Sequence, residues 1–284
     1  MPAPVKIVTD SAADLDDAVV AELGITVVPL SIRFGSEEFT DRVDLTPQQF
    51  YEKMASTSAL PETAAPSPGA FEKAFRAALD EDAAGVVCVN LSGELSATIQ
   101  SAQNAARAMA EASPGAPPIH IVDSRSVTGG LGSQVTAAAR AARDGASADD
   151  VAALVQDMVG RTRVFGALDT LDNLKKGGRI GGAQALIGSL LSVKPLIEIR
   201  DGAVHEAGKP RTRAKAIRQL VDKLREAGSV ENVNVLHGLA PDVDELLGLV
   251  ADVVPRDQIS LGIIGATIGT HGGPRVVGVT WQVT

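Results

Sequence analysis

The chain has 284 residues, a formal net charge of −9, 45% hydrophobic residues and a single cysteine, Cys88. That length suits one large or two moderate domains with a well-buried interior. The charge argues against non-specific nucleic-acid binding, which rests on neutralising phosphates, and one cysteine excludes an intrachain disulfide. Aromatic residues make up only 3% of the chain, so Val, Ile, Leu and Ala must build the core. Cys88, inside "GVVCVN", reads as a small buried hydrophobe rather than a reactive thiol. No apolar run approaches the ~20 residues of a membrane span, and the opening "MPAPVKIVTDS" has no signal-peptide pattern. The expectation is a soluble, cytoplasmic protein.

In chain order, "VKIVTD" predicts a strand and the stretch near Asp14 to Leu23 a helix. "ITVVPLSIRFG" reads as one second strand. "TPQQFYEKMAS" opens on Thr46 and Pro47, a good helix start. "PETAAPSPG" reads as a loop before a helix over "PSPGAFEKAFRAALD". "AGVVCVNLS" and "PIHIVDSRS" read as strands, each followed by an Ala-rich helix. Such alternation predicts an α/β domain whose sheet is mostly parallel and Rossmann-like. A helix over Asp149 to Arg161 carries the chain into a second unit with a helix, a hairpin, another helix and closing strands. The expected domains are 1–161 and 162–284, the second with a mixed sheet. "ISLGIIGATIGTHGG" and "VVGVTWQV" read as the last strands, with His271 in a bare glycine turn.

In parallel α/β sheets, ligands bind beyond the carboxyl ends of the strands. "IVTDSAADL" puts Asp10 and Ser11 there, "VNLSGELSATIQSA" puts Ser92, Ser96 and Thr98 there, and "IVDSRSVTGGLG" puts Asp123, Ser124 and Ser126 there. Thr63 and Ser67 add a fourth segment. Each alone reads as a helix cap. Together they predict a polar anionic ligand, a carboxylate or a phosphate, met by hydroxyls and helix N-termini. There is no P-loop, no GxGxxG after the first strand, no G-x-S-x-G elbow and no metal-ligand spacing. Lys175, Lys176 and Arg179, then Lys209, Arg211, Arg213, Lys215 and Arg218, concentrate positive charge on an acidic chain. This is either a solvated face or a docking surface for an acidic partner. "ALIGSLLSVKPLIEI" is either a core helix running into a strand or a tunnel wall formed by Leu186, Ile187, Leu190 and Leu191.

The ordered set "IVTDSAADL", "TAAPSPGAF", "LSGELSATIQSA", "IVDSRSVTGGLG", "LDNLKKGGRIGG", "SLLSVKPLI", "RTRAKA" and "IGTHGGP" resembles the DegV family of bacterial fatty-acid-binding proteins. The resemblance spans nearly the whole chain. It implies two α/β domains with a long-chain fatty acid between them, and no cofactor or metal. It further implies a non-catalytic carrier that presents the acyl carboxylate to a separate fatty acid kinase, whose acyl phosphate feeds phospholipid synthesis. Carried onto this chain, the carboxylate would be held by Thr63, Ser96 and His271. Ser11, Ser124, Arg179, Gly272 and Gly273 are candidates for supporting that anion or a phosphate, and Arg211 and Arg213 for meeting the kinase. "TAAPS" and "LSGELSAT" depart from the usual loops at Ala64, Ala65, Gly93 and Ala97, and Arg275 stands where a small residue is common. The alternative is a stand-alone acyl hydrolase or phosphotransferase using Ser96 and His271. A monomer is the default expectation, because a carrier needs a free face.

Overall fold

A computed structural model describes residues 4–80, 82–189 and 193–284; the side chains of residues 186–189 are outside that description. The chain forms two α/β domains. The first is built on a four-stranded parallel sheet in the order β2-β1-β6-β7, with β1 Val5–Asp10, β2 Thr26–Val28, β6 Gly85–Asn90 and β7 Ile119–Asp123. One face is covered by α1 Asp17–Leu23, α5 Thr128–Arg143 and α6 Ala148–Arg161, the other by α3 Pro68–Asp80 and α4 Thr98–Ala112. A sheet buried on both faces needs continuous apolar strands. "GVVCVN" supplies one, and all six of its residues are buried.

The stretch "ITVVPLSIRFG" is two strands, not one. Pro29 has no N–H to give a ladder, and the chain leaves β2 there. It then joins β3 Ser31–Phe34 to β4 Glu37–Thr40 and β5 Pro61–Ala64 in a separate antiparallel sheet. "PETA" is therefore a strand rather than a loop. Helix α2 Pro47–Ser56 follows β4 and starts on a capping box between Thr46 and Gln49.

The second domain carries a six-stranded mixed sheet, β10-β9-β8-β13-β11-β12. Its strands are β8 Thr162–Ala167, β9 Leu196–Arg200, β10 Ala203–Gly208, β11 Val230–His237, β12 Ile259–Ile263 and β13 Val277–Val283. Only β11 and β12 pair in parallel. Helices α8 Arg213–Glu226 and α9 Val243–Ala251 cover one face. Strand alternation sets what lies on each side. Val277, Val279 and Trp281 of β13 enter the helix-covered core, where Trp281 stacks on Phe165 at 5.3 Å. Gly278 and Thr280 turn to the other face, which looks toward the first domain.

Two short helices complete the chain, α7 Asp172–Lys176 and α10 Ala266–Gly272. The second corrects the expectation of strand and turn around His271. Glycine weakens helices, but here close approach decides: a Cβ at Gly269 would sit 2.6 Å from the Tyr51 hydroxyl and 2.9 Å from the Phe50 ring. The Asp14 carboxylate accepts the Gly265 N–H at 2.9 Å and Asp41 accepts the Thr267 hydroxyl at 2.6 Å, tying the start of α10 to the first domain.

Candidate functional site

Between the two sheets lies a cavity whose empty space, counting its open mouth, is about 890 Å³. It is narrow, since the centre of a water-sized molecule can range over only about 100 Å³ of it. The small inner figure, below the roughly 300–1,000 Å³ of small-molecule sites, means that the walls stand close together. The walls are apolar. Gly278 of β13 and Ile197 and Ile199 of β9 come from the second sheet, Leu168 and Val276 from just beyond the ends of β8 and β13, and Leu91 and Leu95 from the loop after β6.

Several polar side chains line this wall, and two of them meet. Thr63 of β5 and His271 of α10 come from residues 208 apart in sequence, yet Thr63 Oγ1 lies 3.1 Å from His271 Nε2. Ser96 and Arg179 line the same cavity. Burial, reinforced by the nearby Arg179 charge, pulls the His271 imidazole down to about 4, so the ring is neutral at pH 7. Its Nδ1 is buried with no partner among the described residues. A buried unpaired N–H is rarer than an unpaired acceptor, which favours the tautomer with the proton on Nε2. Nε2–H then donates to Thr63, and the Thr63 O–H stays free to donate to something else. Arg179 is held by its own backbone surroundings, with Nε donating to the Leu95 carbonyl at 3.1 Å and an Nη to the Gly177 carbonyl at 2.6 Å.

Sequence reasoning missed Gly177. Its backbone is helical, with φ −74°, so no unusual dihedral demands glycine. The demand is space: a Cβ there would overlap His271 Nδ1. The run "KKGGRIGG" signals close approach but not its object.

Several predicted residues stand elsewhere. Ser11 donates to the Asp41 carboxylate at 2.8 Å and accepts from the Leu30 N–H, in a neighbourhood of buried carboxylates that would repel a second anion. Ser124 bonds within its own turn, to Ser126. Ser92 donates to the Gly202 carbonyl at 2.6 Å and Arg125 to that of Asp201, which pins the β9–β10 turn to the first domain. Ser96 accepts the Thr98 N–H at 3.2 Å, the cap-like role, while also lining the cavity. Gly272 lines the cavity as well, and Gly273 follows with φ +78° beside Asn173. Arg213 is engaged within the protein. It grips Asp242 through two bonds of 2.8 and 3.0 Å and donates to the Arg275 carbonyl, which removes it as a free docking group. Arg211 is exposed. Leu186 and Ile187 lie in the 3-10 segment Gly181–Ser189 with undescribed side chains, and Leu190 and Leu191 fall outside the described residues.

Comparison with known proteins agrees in family and architecture. Residues 4–284 match the DegV family, described as uncharacterised proteins. A DegV domain-containing protein of Deinococcus radiodurans is 35% identical over 283 residues, covering 98% of each chain. A DegV family protein from Thermus thermophilus, described for its fatty acid binding, superposes with a TM-score of 0.90 at 31% identity, covering 99% of this chain and 100% of that one. A stearic-acid-binding protein from Eubacterium ventriosum gives 0.89 at 28% identity, with 98% of both chains covered. The chain belongs to the DegV family.

Proposed function

We propose that this protein binds a long-chain fatty acid in the narrow cavity, with the carboxylate at Thr63, Ser96, His271 and Arg179. The observation that carries this reading is a narrow apolar cavity with Thr63 and His271 in contact on its wall and one cation, Arg179, close enough to act on the His271 ring. Burying about fourteen methylenes at ~0.8 kcal/mol each supplies roughly 11 kcal/mol before association costs. The carboxylate needs compensation, because an unpaired buried charge costs several kcal/mol. The free Thr63 O–H, the Ser96 hydroxyl and the Arg179 guanidinium can supply it.

The hydrolase alternative fits the site less well. His271 Nε2 bonds to Thr63, Ser96 bonds to Thr98 at 2.8 Å, and His271 Nδ1 faces Gly177 with no carboxylate among the described residues to orient it. A histidine held near pKa 4 is also a weak base at pH 7.

In this reading the chain divides at residue 161, works as a cytoplasmic monomer, and hands its carboxylate to a separate fatty acid kinase that forms the acyl phosphate used in phospholipid synthesis. Arg211 is the exposed cation of the predicted pair. Arg211→Glu is expected to abolish kinase-dependent acyl-phosphate formation while lipid uptake stays normal. Unchanged phosphorylation would make this residue an ordinary solvated one.

The direct test is native mass spectrometry of the purified protein followed by organic extraction. A stoichiometric mass excess that extracts as a long-chain fatty acid is expected. His271→Ala and Thr63→Val should each weaken uptake by about tenfold, the size of one charge-assisted hydrogen bond. A clean apo mass with no uptake of added fatty acids would overturn the reading.

A further inference from the structure

The cavity wall holds hydroxyls away from the head-group cluster. Thr128 and Thr280 line it, and they are 5% and 1% exposed. Outside the head-group cluster, the Thr267 hydroxyl on the wall is satisfied by Asp41. Those of Thr128 and Thr280 are not. Thr128 Oγ1 is buried with no hydrogen-bond partner among the described residues. Asp14 is near enough to feel it, but no bond of normal geometry joins them. Thr280 Oγ1 accepts from Asn234 Nδ2 at 3.0 Å, and no acceptor for its own proton stands among the described residues.

The two residues line the same cavity. A Cβ on Gly129 would sit 2.9 Å from Thr280 Oγ1, so the glycine next to Thr128 brings the start of α5 against β13. Thr128 itself has φ +47°, a left-handed backbone that a β-branched residue rarely adopts. Such strain persists only where the surroundings impose it, and it clusters at ligand sites. A buried hydroxyl without a partner is destabilising, and a plain hydrocarbon chain would leave both as they are.

Strand β13 acts as a ruler. Val276, Gly278 and Thr280 line the cavity in sequence, as Leu168, Gly166 and Val164 do on and beside the antiparallel neighbour β8. Val276 lies against Gly272, next to His271. From Val276 to Thr280 the strand rises about 13 Å. An extended chain advances about 1.2 Å per bond, so Thr280 lies near carbon 11 of a fatty acid anchored at His271.

We infer that the cavity is built for an acyl chain carrying a hydrogen-bonding oxygen near its middle, a hydroxy- or oxo-fatty acid, read by Thr128 and Thr280. This rests on the fatty-acid reading above and narrows its ligand. The test uses the delipidated full-length protein, titrated with stearic acid, 12-hydroxystearic acid and 18-hydroxystearic acid. The 12-hydroxy acid is expected to bind at least about fivefold tighter than the other two, the effect of one buried hydrogen bond. Thr280→Val keeps shape in a strand and should erase that preference, so that stearic acid and the 12-hydroxy acid bind alike. Thr128→Val, at the strained position, should act in the same direction. Equal or weaker binding of the 12-hydroxy acid, or a preference that survives both variants, would overturn the inference while leaving the fatty-acid reading intact. Failure of all three acids to bind would overturn both.

Discussion

Gly177→Ala is expected to weaken fatty acid binding by about as much as His271→Ala, roughly tenfold, because the new methyl displaces the ring. The backbone at Gly177 is helical, so alanine meets no conformational penalty there and even favours the helix. The main loss must therefore come from the clash with the His271 ring, the Asn173 carbonyl at 3.1 Å being a lesser contact. Pushing the ring away breaks the 3.1 Å contact with Thr63 and leaves that hydroxyl unoriented. Overpacking of this kind destabilises by about 1–3 kcal/mol. The check is a double-mutant cycle with thermal unfolding and lipid titration. In a His271→Ala background the glycine should be dispensable, so the second substitution adds no loss in either measurement. If Gly177→Ala binds lipid like the unaltered protein, or its cost persists without His271, the histidine does not depend on this glycine.

The second large effect concerns the carboxylates that hold the start of α10. Burial pushes the Asp10 carboxyl up to about 6 and the Asp14 carboxyl up to about 7, and raises Asp41 as well. Asp10 is partly compensated by the Leu91 N–H and Asn90, and Asp41 by Ser11 and Thr267. Asp14 has one bonded oxygen, facing Gly265, and one without a bonded partner among the described residues. A raised folded-state pKa means that the folded protein holds the proton longer than the unfolded chain. The stability from Asp14 is thus full below pH 3.8 and is lost as pH rises to about 7, on the order of 4 kcal/mol in all. His271 runs the other way. Its folded pKa, about 4 against 6.5, means stability is lost as pH falls through that window. Asp10 and Asp41 slope in the same direction as Asp14, so His271 offsets only part of the fall in the unaltered protein.

Asp14→Asn separates them. Asparagine keeps the acceptor for Gly265, tolerates the left-handed backbone at this position, φ 49°, and does not titrate. Denaturant unfolding from pH 4 to pH 7 should show the variant gaining on the unaltered protein by about 1.4 kcal/mol per pH unit, the linkage of one proton. A difference that stays flat across this range would mean that Asp14 ionises normally in the fold.

Much of the architecture was legible in the sequence because it rests on local pattern. Continuous apolar runs such as "GVVCVN" announce strands buried on both faces, and Ala-rich amphipathic stretches between them announce the crossover helices. Thr46 with Gln49 announces its own helix start. The ordered motifs drew attention to Thr63, Ser96 and His271, which do line one cavity.

What the pattern hid depended on partners far away in the chain. A helix through "ATIGTHG" is a poor local choice, and it forms because glycines let α10 approach Tyr51 while Asp14 and Asp41 hold its first turn. Arg213 looked like a free cation in a basic run and is an internal clamp on Asp242. Ser11 and Ser92 looked like anion ligands and are spent on an aspartate and a backbone carbonyl. By itself the sequence determined the parallel strands and crossover helices of the first domain and which side chains are apolar, since periodicity and propensity act over a few residues. Only the tertiary structure decided which hydroxyls and charges remain free to meet a ligand, because that depends on hydrogen bonds between residues that folding brings together from across the whole chain.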